Sequence, residues 1–248
     1  MSSYEAFATV YDELTDDISY PNRAAYFDKL VELHGGKRGI LLDLACGTGS
    51  LSEEFARLGY DVIGVDSSEE MLAAAMNKRV ESGFDITYLH QRMQDLDLYG
   101  TIDVAVCALD SLNHLTSAKE LQRAVDRVSL FLDPQGLFLF DVNTPYKHRE
   151  VLANNIFVYD YDDVYLVWKN TLLEDDIVSF ELDIFEQDGE AYFRTTERFC
   201  ERAYSKDQLQ EVLDRAGLEV VGLYHEDSLE PPLPHSERVV YVTKKKNY

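Results

Sequence analysis

The chain has 248 residues, 46% of them hydrophobic and 12% aromatic, enough to bury a sizeable core without disulfides or a structural metal. Its 46 acidic side chains against 23 lysines and arginines give a formal net charge of -23, a field that disfavours nucleic acid and anionic lipid as partners. The three cysteines are far apart and form no C-x-x-C pair, no apolar run reaches the length of a membrane span, and the six histidines show no metal-ligand spacing. A reduced, cytoplasmic setting with neither DNA nor membrane as partner, and with no metal, is therefore expected.

In chain order, the acidic and aromatic segment 1–14 is not a secretory leader. From Ile40 to Val142 short apolar runs alternate with amphipathic stretches, the rhythm of a parallel sheet covered by helices. The strands are expected at Ile40–Ala45, Asp61–Val65, Ile86–His90, Ile102–Cys107 and Gly136–Val142. Between them, Leu51, Phe55 and Leu58 form one helical stripe closed by Gly59. Ser68 caps a second helix carrying Met71, Leu72 and Ala75, with Glu69 and Glu70 at its positive end. A third runs from about Ser117 to Leu132 and stops before Pro134.

After Asn143 the period changes to two. Phe180, Leu182 and Ile184 face one way and Ser179, Glu181 and Asp183 the other, and Asp188-Gly189 supplies a hairpin turn before Tyr192–Phe199. With Tyr165–Asn170 this predicts a small antiparallel sheet of about three strands, in which Tyr159, Tyr161, Tyr165 and Trp168 read as sheet core. A helix capped by Ser205, and strands at Leu218–Tyr224 and Arg238–Thr243, return to the first pattern. The expected fold is α/β: a Rossmann-like, doubly wound, mostly parallel seven-stranded sheet with a small antiparallel β insertion. Residues 1–143 would form N-terminal helices and a cofactor-binding core, 144–203 an inserted lid, and 204–248 the return to the core.

The chemistry sits on Asp43-Leu44-Ala45-Cys46-Gly47-Thr48-Gly49, a Gly-rich turn between strand and helix, where backbone N–H groups face a ligand. Ser52 stands where a dinucleotide fingerprint has its third glycine, and Asp43 would repel a pyrophosphate while suiting a cationic ligand. Asp66, at the end of the second strand, is placed to accept from a ribose diol.

These residues, with Gly64-Val65-Asp66-Ser67-Ser68-Glu69-Glu70-Met71-Leu72, resemble the first two motifs of the class I S-adenosylmethionine-dependent methyltransferases. Tyr4–Asp12 and the post-sheet insertion also resemble a bacterial subgroup of small-molecule type. The resemblance implies S-adenosyl-L-methionine as cofactor and methyl transfer to a small molecule. It places Asp43, Ala45, Gly47, Thr48 and Gly49 at the methionine end of the cofactor, Asp66 at its ribose, Ser67 and Met71 at its adenine, and Leu109 beside it. Tyr11 and Tyr20 would close over it. Similar sequences carry Asp where Arg92 stands here; Arg has no acceptor for the adenine amino group, which leaves Gln91 or Met93 to serve it.

The segment after the fourth strand, Asp110-Ser111-Leu112-Asn113-His114, should border the transferred methyl, with Asp110, His114 and Tyr11 as candidate proton acceptors. It is not the Asn-Pro-Pro-Tyr signature of amide and DNA amino methylation. The alternatives are a nicotinamide-dependent oxidoreductase and a non-catalytic S-adenosylmethionine sensor or partner-binding protein. The expected partners are a small-molecule acceptor and, at most, a second copy of the chain in a homodimer.

Overall fold

The computed structural model describes residues 19–246; Tyr11 lies outside them. Helix α1 (Tyr20–Leu33) leads into strand β1 (Ile40–Leu44), helix α2 (Ser50–Arg57), β2 (Asp61–Asp66), α3 (Glu69–Ser82), β3 (Ile86–His90) and β4 (Ile102–Cys107). Helix α4 (Ala118–Phe131) precedes β5 (Leu132–Asn143). The strands β6 (Ile156–Asp160), β7 (Val164–Leu172), β8 (Ile177–Asp188) and β9 (Ala191–Arg202) follow, then α5 (Lys206–Arg215), β10 (Leu218–His225) and β11 (Arg238–Lys245).

The helix ends are local chemistry. Ser68 caps α3 by accepting from the Met71 N–H, and α3 stops at Gly83, whose φ of 74° is left-handed. Ser205 and Gln208 form a reciprocal capping box on α5.

The main sheet has seven strands in the order β10-β11-β5-β4-β1-β2-β3, and only β11 runs against the others. Successive residues of β1 point to opposite faces. Leu41 packs with Phe27 and Leu30 of α1 and Phe55 of α2, while Leu42 and Leu44 pack with Leu121 and Val125 of α4 and Leu209 of α5. Each buried Leu or Phe of these two layers contributes about 1.5–3 kcal/mol, which is why β1 tolerates just one polar residue, Asp43.

Between β1 and β4 the strand order reverses. The chain leaves β1 toward β2 on one side and continues from β4 to β5 on the other, so the loops after β1 and β4 diverge and open a crevice at the carboxyl edge of the sheet.

The second sheet, β6-β7-β8-β9, is antiparallel and has four strands rather than about three. The additional strand is β6. Its Ile156 and Val158 are exposed, so it shows no alternation of buried and open positions from which a strand is read. The insertion is pinned where it leaves and rejoins the core: the buried Asn113 amide donates to the Asn143 and Arg202 carbonyls at 3.2 and 2.9 Å and accepts from the Asn143 N–H at 3.0 Å.

Candidate functional site

The Gly-rich turn is built by backbone geometry. Ala45, Gly47 and Gly49 have positive φ values of 62°, 54° and 77°. A Cβ on Gly47 would meet no atom within 4 Å, so its peptide lies open, whereas one on Gly49 would run into the Tyr88 hydroxyl and, at 2.9 Å, Ala75. Gly49 thus lets α2 start close against α3, and Gly47 leaves the turn bare.

Asp66 secures this turn to the next one. One of its carboxylate oxygens accepts from the Gly47 N–H and the other from the Ser68 N–H, each at 2.9 Å. Each oxygen keeps a further lone pair for hydroxyls. Asp43 is fully enclosed behind the turn. It accepts from the Ser52 hydroxyl at 2.5 Å, and burial, with Asp66 nearby, pushes its carboxyl up to about 7 despite that bond.

Among the described residues a cavity of about 1250 Å3 opens at the crevice. Ala45, Gly47, Asp66, Ser67, Met71, Met93 and Leu109 line its core end, with Ser19 and Arg23 from the N-terminal side. The insertion lines the other end with Tyr159, Tyr161, Trp168, Phe180, Glu197, Phe199 and Glu201. A pocket of about 30 Å3 adjoins it, lined by Tyr20, Asp43, Thr48 and again Ala45, Gly47 and Leu109.

Of the two residues left to serve adenine, Met93 lines the cavity and Gln91 is not among its lining residues. The Gln91 amide is engaged with the Asp97 backbone, accepting at 2.8 Å and donating at 3.1 Å, and Arg92 is exposed, paired to Asp95 at 2.6 Å. The aromatics read as sheet core divide. Trp168 packs on Phe157 and Phe180 while also facing the cavity, Tyr159 and Tyr161 stack at its rim, and Tyr165 pairs with Phe185 away from it.

After β4, Leu109 and Asp110 adopt left-handed φ values of 55° and 51°, which turns Asp110 into the cavity. Arg238 pairs with Asp110 at 2.7 Å and with the buried Asp141 at 2.9 Å. Burial alone would raise the Asp110 carboxyl, but Arg238, with Lys147 and His114, holds it below the usual carboxylate range. The His114 ring leans on Phe199 at the cavity wall with 42% of its side chain exposed, and desolvation there keeps its imidazole below the ordinary value against the pull of Asp110. Asp110 is therefore a saturated anion and His114 a neutral base at neutral pH.

Arg238, Asn143, Glu197 and Glu201 had no signal as single residues. The signal for the two glutamates was the hairpin register: Asp188 pairs with Ala191 across a tight turn, which sets Glu197 opposite Leu182 and Glu201 opposite Val178, on the buried face of the inserted sheet.

A methyltransferase-domain family model matches residues 41–136. YqeM of Bacillus subtilis (strain 168), which carries a provisional methyltransferase name, is 32% identical over 244 residues, covering 98% of this chain and 97% of its own. The crystal structure of an S-adenosylmethionine-dependent methyltransferase from Clostridium acetobutylicum superposes with a TM-score of 0.91 at 32% identity, over 98% of this chain and 99% of that one. The chain belongs to the class I S-adenosylmethionine-dependent methyltransferases. A ubiquinone biosynthesis O-methyltransferase of Xanthomonas euvesicatoria is 34% identical over 126 residues, half of each chain.

The enzyme uses S-adenosylmethionine, and the site fits it. The bare Gly47 peptide admits a ligand against the backbone, and Asp66 has lone pairs left for a ribose diol and a charge that suits a ligand carrying positive charge. When bound, S-adenosylmethionine supplies a methyl group on a sulfonium that departs as a neutral thioether.

Proposed function

We propose that this methyltransferase acts on a small molecule held between its α/β core and its inserted sheet. The observation that carries the reading is a single cavity lined at one end by the Gly-rich turn and at the other by β7, β8 and β9. The relative named for ubiquinone biosynthesis O-methylation supports a small acceptor.

In this reading the Ala45 and open Gly47 backbone and Thr48 hold the methionine end, with Gly49 packed beneath them against α3 and Asp43 behind, and Asp66 holds the ribose. Ser67, Met71, Met93 and Leu109 enclose the rest, and Tyr20 closes the side of the turn. The insertion excludes water and orients the acceptor, which matters because an in-line displacement gains most from alignment in a dry site. His114, neutral and inside the cavity, is better suited to accept a proton than Asp110, which Arg238 occupies. A bacterial, intracellular setting belongs to the same proposal, supported by bacterial relatives and by free cysteines at 46, 107 and 200.

The test is transfer of isotopically labelled methyl from S-adenosylmethionine into a deproteinised bacterial metabolite extract, with protein and nucleic acid offered separately. Label in the low-mass fraction is expected. Label confined to protein or nucleic acid contradicts the proposal.

A further inference from the structure

Glu201, on β9, is 5% exposed and faces the cavity. Its Oε2 accepts one long bond from the Asn143 amide at 3.3 Å. Among the described residues, His114 Nε2 stands 3.6 Å from Oε1 and His148 Nε2 3.8 Å from Oε2, both beyond hydrogen-bond reach. A buried carboxylate normally collects two or more donors. The adjacent Asp110 does so, taking Arg238 at 2.7 Å and the same Asn143 amide at 2.6 Å. Arg238 also reaches Asp141 and Glu226, and among the described residues it makes no ion pair with Glu201.

Resting on the reading that the insertion-lined end receives the acceptor, we infer that the acceptor is an amine and that the Glu201 carboxylate is its anchor. The surroundings complete a site for a cation. Phe199, Phe180 and Trp168 line the same end of the cavity, and aromatic faces attract an ammonium group. Asp110, its charge matched by Arg238, is bridged to Glu201 through Asn143 and leaves Glu201 as the carboxyl with room for a further donor. Arg238 and Lys147 line the cavity too, but Arg238 is engaged with Asp110, Asp141 and Glu226 and Lys147 with the Asn143 side chain. That leaves Glu201 without a cation paired to it among the described residues; a phenolate or carboxylate acceptor would be repelled by it, and an alcohol would not repay its burial.

The chemistry balances on this chain's residues. An amine arriving as its ammonium gives one proton to the Glu201 carboxylate, which frees the nitrogen lone pair. That pair forms the new carbon–nitrogen bond as the methyl–sulfur bond breaks and its electrons leave with the thioether. The positive charge of the sulfonium passes to the methylated nitrogen, which sheds its surplus proton to solvent. Burial, with Asp110 alongside, pushes the Glu201 carboxyl well above the usual carboxylate range, so it is the arriving ammonium, by pairing with it, that favours the ionised form which then takes up the proton.

The probes are 2-phenylethylamine and the isosteric 2-phenylethanol, titrated calorimetrically into protein saturated with S-adenosylhomocysteine. The amine should bind about tenfold tighter or more, the amount expected of a hydrogen-bonded charge. In Glu201→Gln the preference should collapse to within about threefold, with S-adenosylhomocysteine affinity unchanged as the check on folding. Equal binding of the two probes by the unaltered protein overturns the inference without any variant, as does a preference that survives Glu201→Gln. Methyl label passing to alcohols or phenols and not to amines also overturns it, while leaving small-molecule methyl transfer standing.

Discussion

Asp66→Ala separates two roles that one carboxylate fills. The Asp66 side chain accepts from the Gly47 and Ser68 N–H groups at 2.9 Å each, and in the proposed complex it accepts from the ribose as well. A hydrogen bond to a charged group contributes about 1.5–3 kcal/mol, and both backbone donors border a cavity where water can take over part of the loss, so the ligand-free protein should lose roughly 2–4 kcal/mol. Loss of the ribose acceptor should weaken S-adenosylhomocysteine binding a further 10- to 150-fold or so, from the same range per bond. Urea denaturation measures the first effect, and calorimetric titration of the folded variant measures the second. A variant that loses stability yet binds S-adenosylhomocysteine within about twofold of the unaltered protein would refute the ribose role and leave Asp66 as a brace for the turn.

Asp43 should make the ligand-free enzyme less stable as pH rises. Its native carboxyl, pushed up to about 7, holds a proton that the unfolded chain has lost, so stability falls between about pH 4 and 7 by an amount on the order of 4 kcal/mol. Asp43→Asn, which keeps an oxygen for Ser52, should flatten that slope in urea titrations at pH 5 and 8; an unchanged slope contradicts it. Replacing residues 154–200 by a short Gly/Ser linker leaves the Asn113 staple to Asn143 and Arg202 in place. This truncation should keep S-adenosylhomocysteine affinity within a few-fold while losing methyl transfer, and a folded truncation that keeps transfer and loses the cofactor would reverse the roles of core and insertion.

The core was legible because its signals are local. The apolar runs of β1 to β4 are too short for helices, Ser68 and Ser205 are caps that the backbone uses as expected, and the turn from Asp43 to Gly49 carries its conformation in its glycines. The acceptor end was not legible residue by residue, because its polar groups come from distant segments. Arg238 meets Asp110 across the sheet, and Asn143 joins Asp110 to Glu201 from the far end of the insertion. Glu201 sits in a strand flanked by Arg198 and Arg202, where a glutamate reads as solvent-facing until the hairpin register is counted through from Asp188 and Ala191. Strand β6 was hidden for the opposite reason, since both its faces are largely open and no burial patterns its sequence.

The account as a whole turns on which way the cofactor lies in the shared cavity. A crystal structure with S-adenosylhomocysteine bound decides it. The ribose hydroxyls should lie within hydrogen-bond distance of Asp66, with the methionine end on the Gly47–Gly49 turn and the sulfur directed toward the end lined by Phe199 and Glu201. A bound molecule whose sulfur points away from the insertion, or whose ribose lies far from Asp66, would contradict the division of labour between core and inserted sheet.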